Sequence, residues 1–222
     1  APFGGVGAPV FRLAGFSRSR KNPDFCNWCF ESAPHGGVEM EIGVMFADMR
    51  GFTSRSETMM PAAAAAIANQ FYAQATDVLV RHVAIIDKME GDAVMALFIP
   101  RFMDGDYRGV MVDAAEDLQA AVEGDSETSC PLGIGLDAGT AFVGNVGAGA
   151  VKDFTAIGDV VNTASRLQGL AAAGQIAMSE HVFAAVRDRY PKAAPQDVQL
   201  RGKAESMRAY VVDHRARDSA RA

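Results

Sequence analysis

Two aspartates sit where a carboxylate does little for packing. Asp48 closes the apolar run Ile42-Gly43-Val44-Met45-Phe46-Ala47 and opens Met49-Arg50-Gly51-Phe52-Thr53. Asp92 follows Lys88-Met89-Glu90-Gly91 and opens onto the apolar run Ala93 to Ile99. Each alone reads as a helix cap or a turn residue. As a pair at strand edges beside glycine they suit a hard cation, because Mg²⁺ takes one or two carboxylates together with the oxygens of a phosphorylated substrate. Metal-assisted chemistry on a nucleotide is therefore the expectation. The segment Met49 to Thr53 leads from strand to helix, so free N–H groups on Gly51, Phe52 and Thr53 can cradle phosphate oxygens, and glycine permits close approach. Its plainer reading is a tight turn that binds nothing. Asn162 and Arg166 stand four residues apart on one expected helix and share a face, an arrangement that is usually just solvated.

The elements that must position these groups follow from periodicity. Met40 to Ala47 reads as a buried strand. Thr53 is expected to cap a short helix containing Ser56 and Glu57. Pro61 starts a long helix through His82, with an apolar stripe of Ile67, Phe71, Ala75, Val78 and Leu79. Val83–Lys88 and Ala93–Ile99 form a hairpin, and Tyr107–Glu123 is a second amphipathic helix. Strands 132–138 and 141–146 lie either side of Gly139. A helix over 160–171, a strand 175–178, a helix 180–189 capped by Ser179, and a final strand pair near 196–200 and 207–212 complete the chain. The order βαββαβ predicts an α+β, ferredoxin-like antiparallel sheet with helices on one face, plus additional C-terminal elements.

Composition bounds the function classes. The net charge of −6 over 222 residues gives no general attraction to nucleic acid or to an anionic membrane. No apolar run approaches the ~20 residues of a transmembrane helix, and the start lacks a clean signal-peptide layout. Three cysteines, an odd number, argue against a disulfide scaffold and make the cytoplasm the default. Residues 1–38, rich in Gly and Pro, are expected to form an extended arm whose Arg12, Arg18, Arg20 and Lys21 are solvated. Residues 39–214 make the domain and 215–222 a tail.

Four motifs in order carry a resemblance. Phe46-Ala47-Asp48-Met49-Arg50-Gly51-Phe52-Thr53, Lys88-Met89-Glu90-Gly91-Asp92, Gly133-Ile134-Gly135-Leu136-Asp137-Ala138-Gly139 with Val143-Gly144-Asn145-Val146-Gly147, and Gly158-Asp159-Val160-Val161-Asn162-Thr163-Ala164-Ser165-Arg166-Leu167 resemble the class III nucleotidyl cyclases. The likeness runs from about Glu39 to Val212. It implies that Asp48 and Asp92 bind two Mg²⁺ or Mn²⁺ ions, that Asn162 orients the ribose and that Arg166 stabilises charge on the α-phosphate. Arginine suits that task because its planar fork gives several charge-assisted bonds and stays protonated. Lys203 matches the lysine on the β,γ-phosphates, with Arg201 as a competitor. Lys88 matches the adenine-accepting lysine. Thr155 stands where many adenylyl cyclases carry aspartate, as in the subclass that includes bicarbonate-responsive members, so bicarbonate is one candidate regulator.

The resemblance further implies ATP as substrate and a head-to-tail homodimer whose sites draw the metal aspartates from one subunit and the remaining groups from the other. The expected activity is that of an adenylyl cyclase, ATP to 3′,5′-cyclic AMP and pyrophosphate. The rivals are a guanylyl cyclase and a non-catalytic, nucleotide-binding regulatory domain. Cys26-Asn27-Trp28-Cys29 is not supplied by the family. A zinc or dithiol role, with His35 as a further ligand, competes with a simpler one in which Phe25, Trp28 and Phe30 pin the arm and the cysteines are small buried hydrophobes.

Overall fold

Met45, Ala47 and Met49 pack on one side of the first long strand, and Ile42, Val44 and Phe46 pack on the other. A strand apolar on both faces belongs inside a sheet that is covered twice. The computed structural model describes residues 13–30, 34–124, 130–148, 151–199 and 205–215 and bears this out. Strand β1 (Gly36–Met49) is flanked by β3 (Ala93–Phe98) and β4 (Leu132–Ala148), both antiparallel to it. β2 (Ile85–Glu90) pairs with β3 at the edge, so the order β2-β3-β1-β4 reproduces the expected ferredoxin-like core.

The sheet departs from the expectation of a purely antiparallel one. β6 (Gln175–Ser179) lies parallel to β4, while β8 (Met207–Asp213) and β7 (Gln196–Val198) continue the sheet antiparallel. A parallel neighbour needs a crossover, and α5 (Asp159–Leu170) supplies it. Gly139 does not divide two strands: β4 runs unbroken through it, and its far half forms a ribbon with β5 (Val151–Ile157).

Helices α3 (Pro61–Arg81), α4 (Tyr107–Glu123) and α6 (Glu180–Val186) cover one face. Phe71, Val78 and Leu79 of α3 and Met111, Ala115 and Leu118 of α4 bury the stripes expected of them. Asp106 caps α4 by accepting from the Arg108 backbone N–H at 3.0 Å. Helix α5 instead lies on the opposite face, with Val160 and Ala164 against Val44 and Val143, so the helices are not confined to one side. It approaches closely because Gly135 has no side chain. A Cβ there would lie 2.1 Å from the Gln168 nitrogen and 2.3 Å from the Ala164 oxygen.

The described part of the arm packs on that same face instead of standing free. The Ile86 N–H donates to the Lys21 carbonyl at 2.7 Å, and the buried Asn22 amide donates to the Ala84 carbonyl at 2.8 Å. Helix α1 (Asn27–Phe30) ends on Phe30, whose ring meets Phe154 edge-on at 4.8 Å, while Phe25 lies against Phe102. Phe25 and Phe30 thus pin the arm as expected, but Trp28 does not: it is 56% exposed beside Phe16. Cys26 is buried, and the Cys29 side chain lies outside the described residues.

Candidate active site

Asp48 is the penultimate residue of β1, opposite Ala93 of β3 and Gly133 of β4. The adjoining β2–β3 turn carries Asp92, whose carbonyl accepts from the Met49 N–H at 3.0 Å. Tyr72 of α3 donates its hydroxyl to the Gly91 carbonyl at 2.8 Å and holds the turn from behind. Gly91, at φ 61, takes the left-handed conformation this turn requires. The two carboxylates converge in consequence. Burial pushes the pKa of Asp48 up, and the charge of Asp92 pushes it up further. Arg50 opposes this, with Nη1 at 3.3 Å from Asp48 Oδ1 and Nη2 donating to the Gln168 carbonyl of α5. The guanidinium occupies space left by Gly133, where a Cβ would lie 2.1 Å from Nε.

This is an acceptor-rich notch with more negative charge than its own arginine satisfies. Among the described residues no third His, Cys, Asp or Glu joins the pair. The donor set fits a hard divalent cation that completes its shell with backbone and phosphate oxygens. The adjoining helix α2 (Phe52–Ser56) begins after Gly51, which at φ 79 is its N-cap; Thr53 is not, contrary to expectation. Thr53 instead directs its hydroxyl to Asp92 Oδ2 at 3.4 Å. The N–H groups of the first turn remain available, as at any helix start.

A second group forms where β2 meets β5. β2 is irregular between Ile86 and Lys88, and the bulge turns Asp87 inward. The Thr155 hydroxyl donates to Asp87 Oδ2 at 2.7 Å, and Lys21 Nζ lies 3.2 Å from Asp87 Oδ1 and 2.9 Å from Asp153. Burial raises the Asp87 pKa, against the lowering by Thr155, Lys21 and Lys88. A cavity of about 460 Å³ opens here, lined by Lys21, Asp87, Lys88, Asn145, Asp153 and Phe154 among others. Lys88 is exposed and Thr155 is buried at the foot of Asp87.

Helix α5 displays the third group, with Asn162 exposed and Arg166 half-buried. No hydrogen bond or ion pair among the described residues joins Asp48 or Asp92 to Lys88, Thr155, Asn162 or Arg166. Lys203 and Arg201 lie outside the described residues. Asp87 and Lys21 were not anticipated. The signal for Asp87 was an acid directly after the apolar Ala84-Ile85-Ile86 in an expected strand; for Lys21 there was none, since its acidic partners are remote in sequence.

Comparison with known proteins places the arrangement. Residues 37–214 match the family described as the adenylate and guanylate cyclase catalytic domain. An adenylate cyclase of Anabaena cylindrica is 34% identical over 157 residues, covering 62% of this chain and 30% of the relative. Adenylate cyclase 1 of Rhizobium meliloti is 30% identical over 150 residues, covering 63% of the chain and 23% of the relative. The chain therefore spans about a third or less of these relatives. Among solved structures, a guanylyl cyclase superposes with TM-score 0.75 at 27% identity, covering 80% of this chain and 93% of that one. The adenylyl cyclase CyaB from P. aeruginosa gives 0.69 at 27% identity, covering 79% and 95%. None of these comparisons supports the bicarbonate response expected of the threonine subclass. Among the described residues no helix is long and apolar enough to cross a membrane. With its paired aspartates, its Asn–Arg helix and its sheet order, the chain belongs to the adenylate and guanylate cyclase catalytic-domain family.

Proposed function

We propose that the chain is the catalytic domain of an adenylyl cyclase that works as a homodimer, converting ATP to 3′,5′-cyclic AMP and pyrophosphate. One observation carries the reading: Asp48 at the end of β1 and Asp92 on the adjoining β2–β3 turn lie together, while Asn162 and Arg166 stand on α5 with no hydrogen bond or ion pair to them among the described residues. A single chain holds both halves of the site unjoined, and a head-to-tail pair joins them twice.

In this reading the ribose 3′-oxygen attacks the α-phosphorus, its proton passes to solvent water, and the bond to the bridging oxygen breaks as pyrophosphate leaves. Asp48 and Asp92 would hold two Mg²⁺ or Mn²⁺ ions, which supply charge that favours the 3′-alkoxide and neutralises the triphosphate. The Gly51, Phe52 and Thr53 N–H groups bind phosphate oxygens of the same nucleotide. From the partner copy, Asn162 orients the ribose and Arg166 meets the charge growing on the α-phosphate. Lys203 serves the β,γ-phosphates. Lys88 donates to the adenine ring and Thr155 meets its amino group. The attack is intramolecular, so positioning and charge stabilisation do the work. The fold does not choose the base, since it superposes on cyclases named for either nucleotide. Lys88 and Thr155 favour ATP. The buried free thiols Cys26 and Cys130 suit the reducing cytoplasm.

The test is a product assay with ATP and with GTP, each with Mg²⁺ and Mn²⁺. Cyclic AMP formation lost in Asp48→Ala and in Arg166→Ala supports the reading. Wild-type protein that binds ATP without making product favours the regulatory alternative, and a preference for GTP favours the guanylyl one.

A further inference from the structure

A threonine hydroxyl has one proton to give and lone pairs to receive, so by itself it suits either the 6-amino group of adenine or the 6-oxo group of guanine. In this chain the proton is already committed. Thr155 Oγ1 lies 2.7 Å from Asp87 Oδ2, and the Asp87 side chain is fully enclosed. An ionised carboxylate only accepts hydrogen bonds. Burial works against that ionised form, but the second oxygen faces Lys21 Nζ at 3.2 Å, a cation that holds the charge in place and fixes the carboxylate as an acceptor. The bulge between Ile86 and Lys88 sets this geometry, because a regular strand would turn Asp87 and Lys88 to opposite faces.

From this we infer that Asp87 is a specificity-determining positioning residue: it takes the Thr155 proton, so that Thr155 presents lone pairs only and accepts from the 6-amino group of adenine. The inference rests on the adenylyl reading above and deepens it. A 6-oxo purine would set lone pair against lone pair. The carboxylate that Thr155 lacks is supplied one step back, from β2 to β5. Asp87 does not touch the base in this arrangement. It acts through Thr155.

The test compares kcat/KM for ATP and for purine riboside 5′-triphosphate, which keeps the ring N1 acceptor for Lys88 and has no 6-substituent. Wild type is expected to favour ATP at least tenfold. Asp87→Asn keeps the volume but offers Thr155 an N–H, freeing its proton to turn away; the ratio should fall to within about threefold of unity. Thr155→Val should give the same ratio, and the double variant no further change. Asp87→Ser, too short to reach Thr155, carries the same expectation if the amide variant does not fold. A merely structural Asp87 would depress both substrates equally and leave the ratio alone, which overturns the proposal. Assayed alongside, GTP separates the two failures. If wild type prefers GTP, the adenine reading fails and takes the inference with it. If wild type prefers ATP and Asp87→Asn keeps the wild-type ratio, only the role of Asp87 is refuted.

Discussion

Asp48 is held in a place where its charge costs the folded state free energy. Burial and the neighbouring Asp92 both push its pKa above the usual carboxylate range, and Arg50 offsets only part of that. A group whose proton is held more tightly in the folded state than in the unfolded one withdraws stability as pH rises from about 3.8 through its folded value. Metal-free Asp48→Asn should therefore melt at the same temperature as wild type or higher at neutral pH. It should lose the Mn²⁺-induced rise in melting temperature expected of wild type, and its cyclase activity should drop on the order of 100-fold or more, the scale of losing one preorganised charge-stabilising group. Calorimetry with and without Mn²⁺ checks both halves. A clear destabilisation of the metal-free variant would contradict the assignment of Asp48 as a strained, cation-seeking group.

At the scale of elements, the site depends on how closely α5 lies on β4. Gly135 makes that contact possible, since any Cβ would meet helix backbone at 2.1 Å, and backbone cannot swing aside. Gly135→Ala should cost about 1–3 kcal/mol by overpacking and lift the helix that carries Asn162 and Arg166. Activity should fall well beyond what the remaining folded fraction explains, while Mn²⁺ binding at Asp48 and Asp92 persists. Gly43 is a contrasting case: its neighbour is the flexible end of Met111, which can yield. On the far side of the sheet, Asp106→Ala removes the α4 cap and should cost about 1 kcal/mol in denaturant unfolding with little effect on turnover.

At the scale of the molecule, two surfaces decide behaviour. The first is the face where, in the proposed homodimer, one copy meets another. Mixing Asp48→Ala with Arg166→Ala should restore activity, because one of the two composite sites in a mixed dimer is intact. If mixed dimers form by native mass spectrometry and stay inactive, the division of the site between subunits is wrong. The second is the arm, which lies over β2 beside Lys88. Asn22→Ala leaves the Ala84 carbonyl without its partner and should cost about 1–3 kcal/mol. Hydrogen exchange at the Ile86 amide, which donates to Lys21, reports whether that cost is local or global.

Legibility in the sequence followed the range of the interactions. The buried character of β1, the helices Pro61–Arg81 and Tyr107–Glu123, and the turn holding Asp92 were all readable, because periodicity and turn chemistry act over a few residues. So were Asp48, Asp92, Lys88, Thr155, Asn162 and Arg166 as candidates, since each sits in a local motif. Contacts across the chain were not readable. Lys21 looked solvated because Asp87 and Asp153 are 66 and 132 residues away, and charge pairing at that separation leaves no periodic trace. The parallel β4–β6 pair, the placement of α5 on the second face and the Asp87–Thr155 bond were likewise decided only when the sheet closed. The paired aspartates were thus given by the sequence as types and positions. Their place together at one notch, tied through Arg50 to Gln168 of α5 but not bonded to Asn162 or Arg166 among the described residues, belongs to the tertiary structure, because strand register and helix placement are set by burial over the whole sheet.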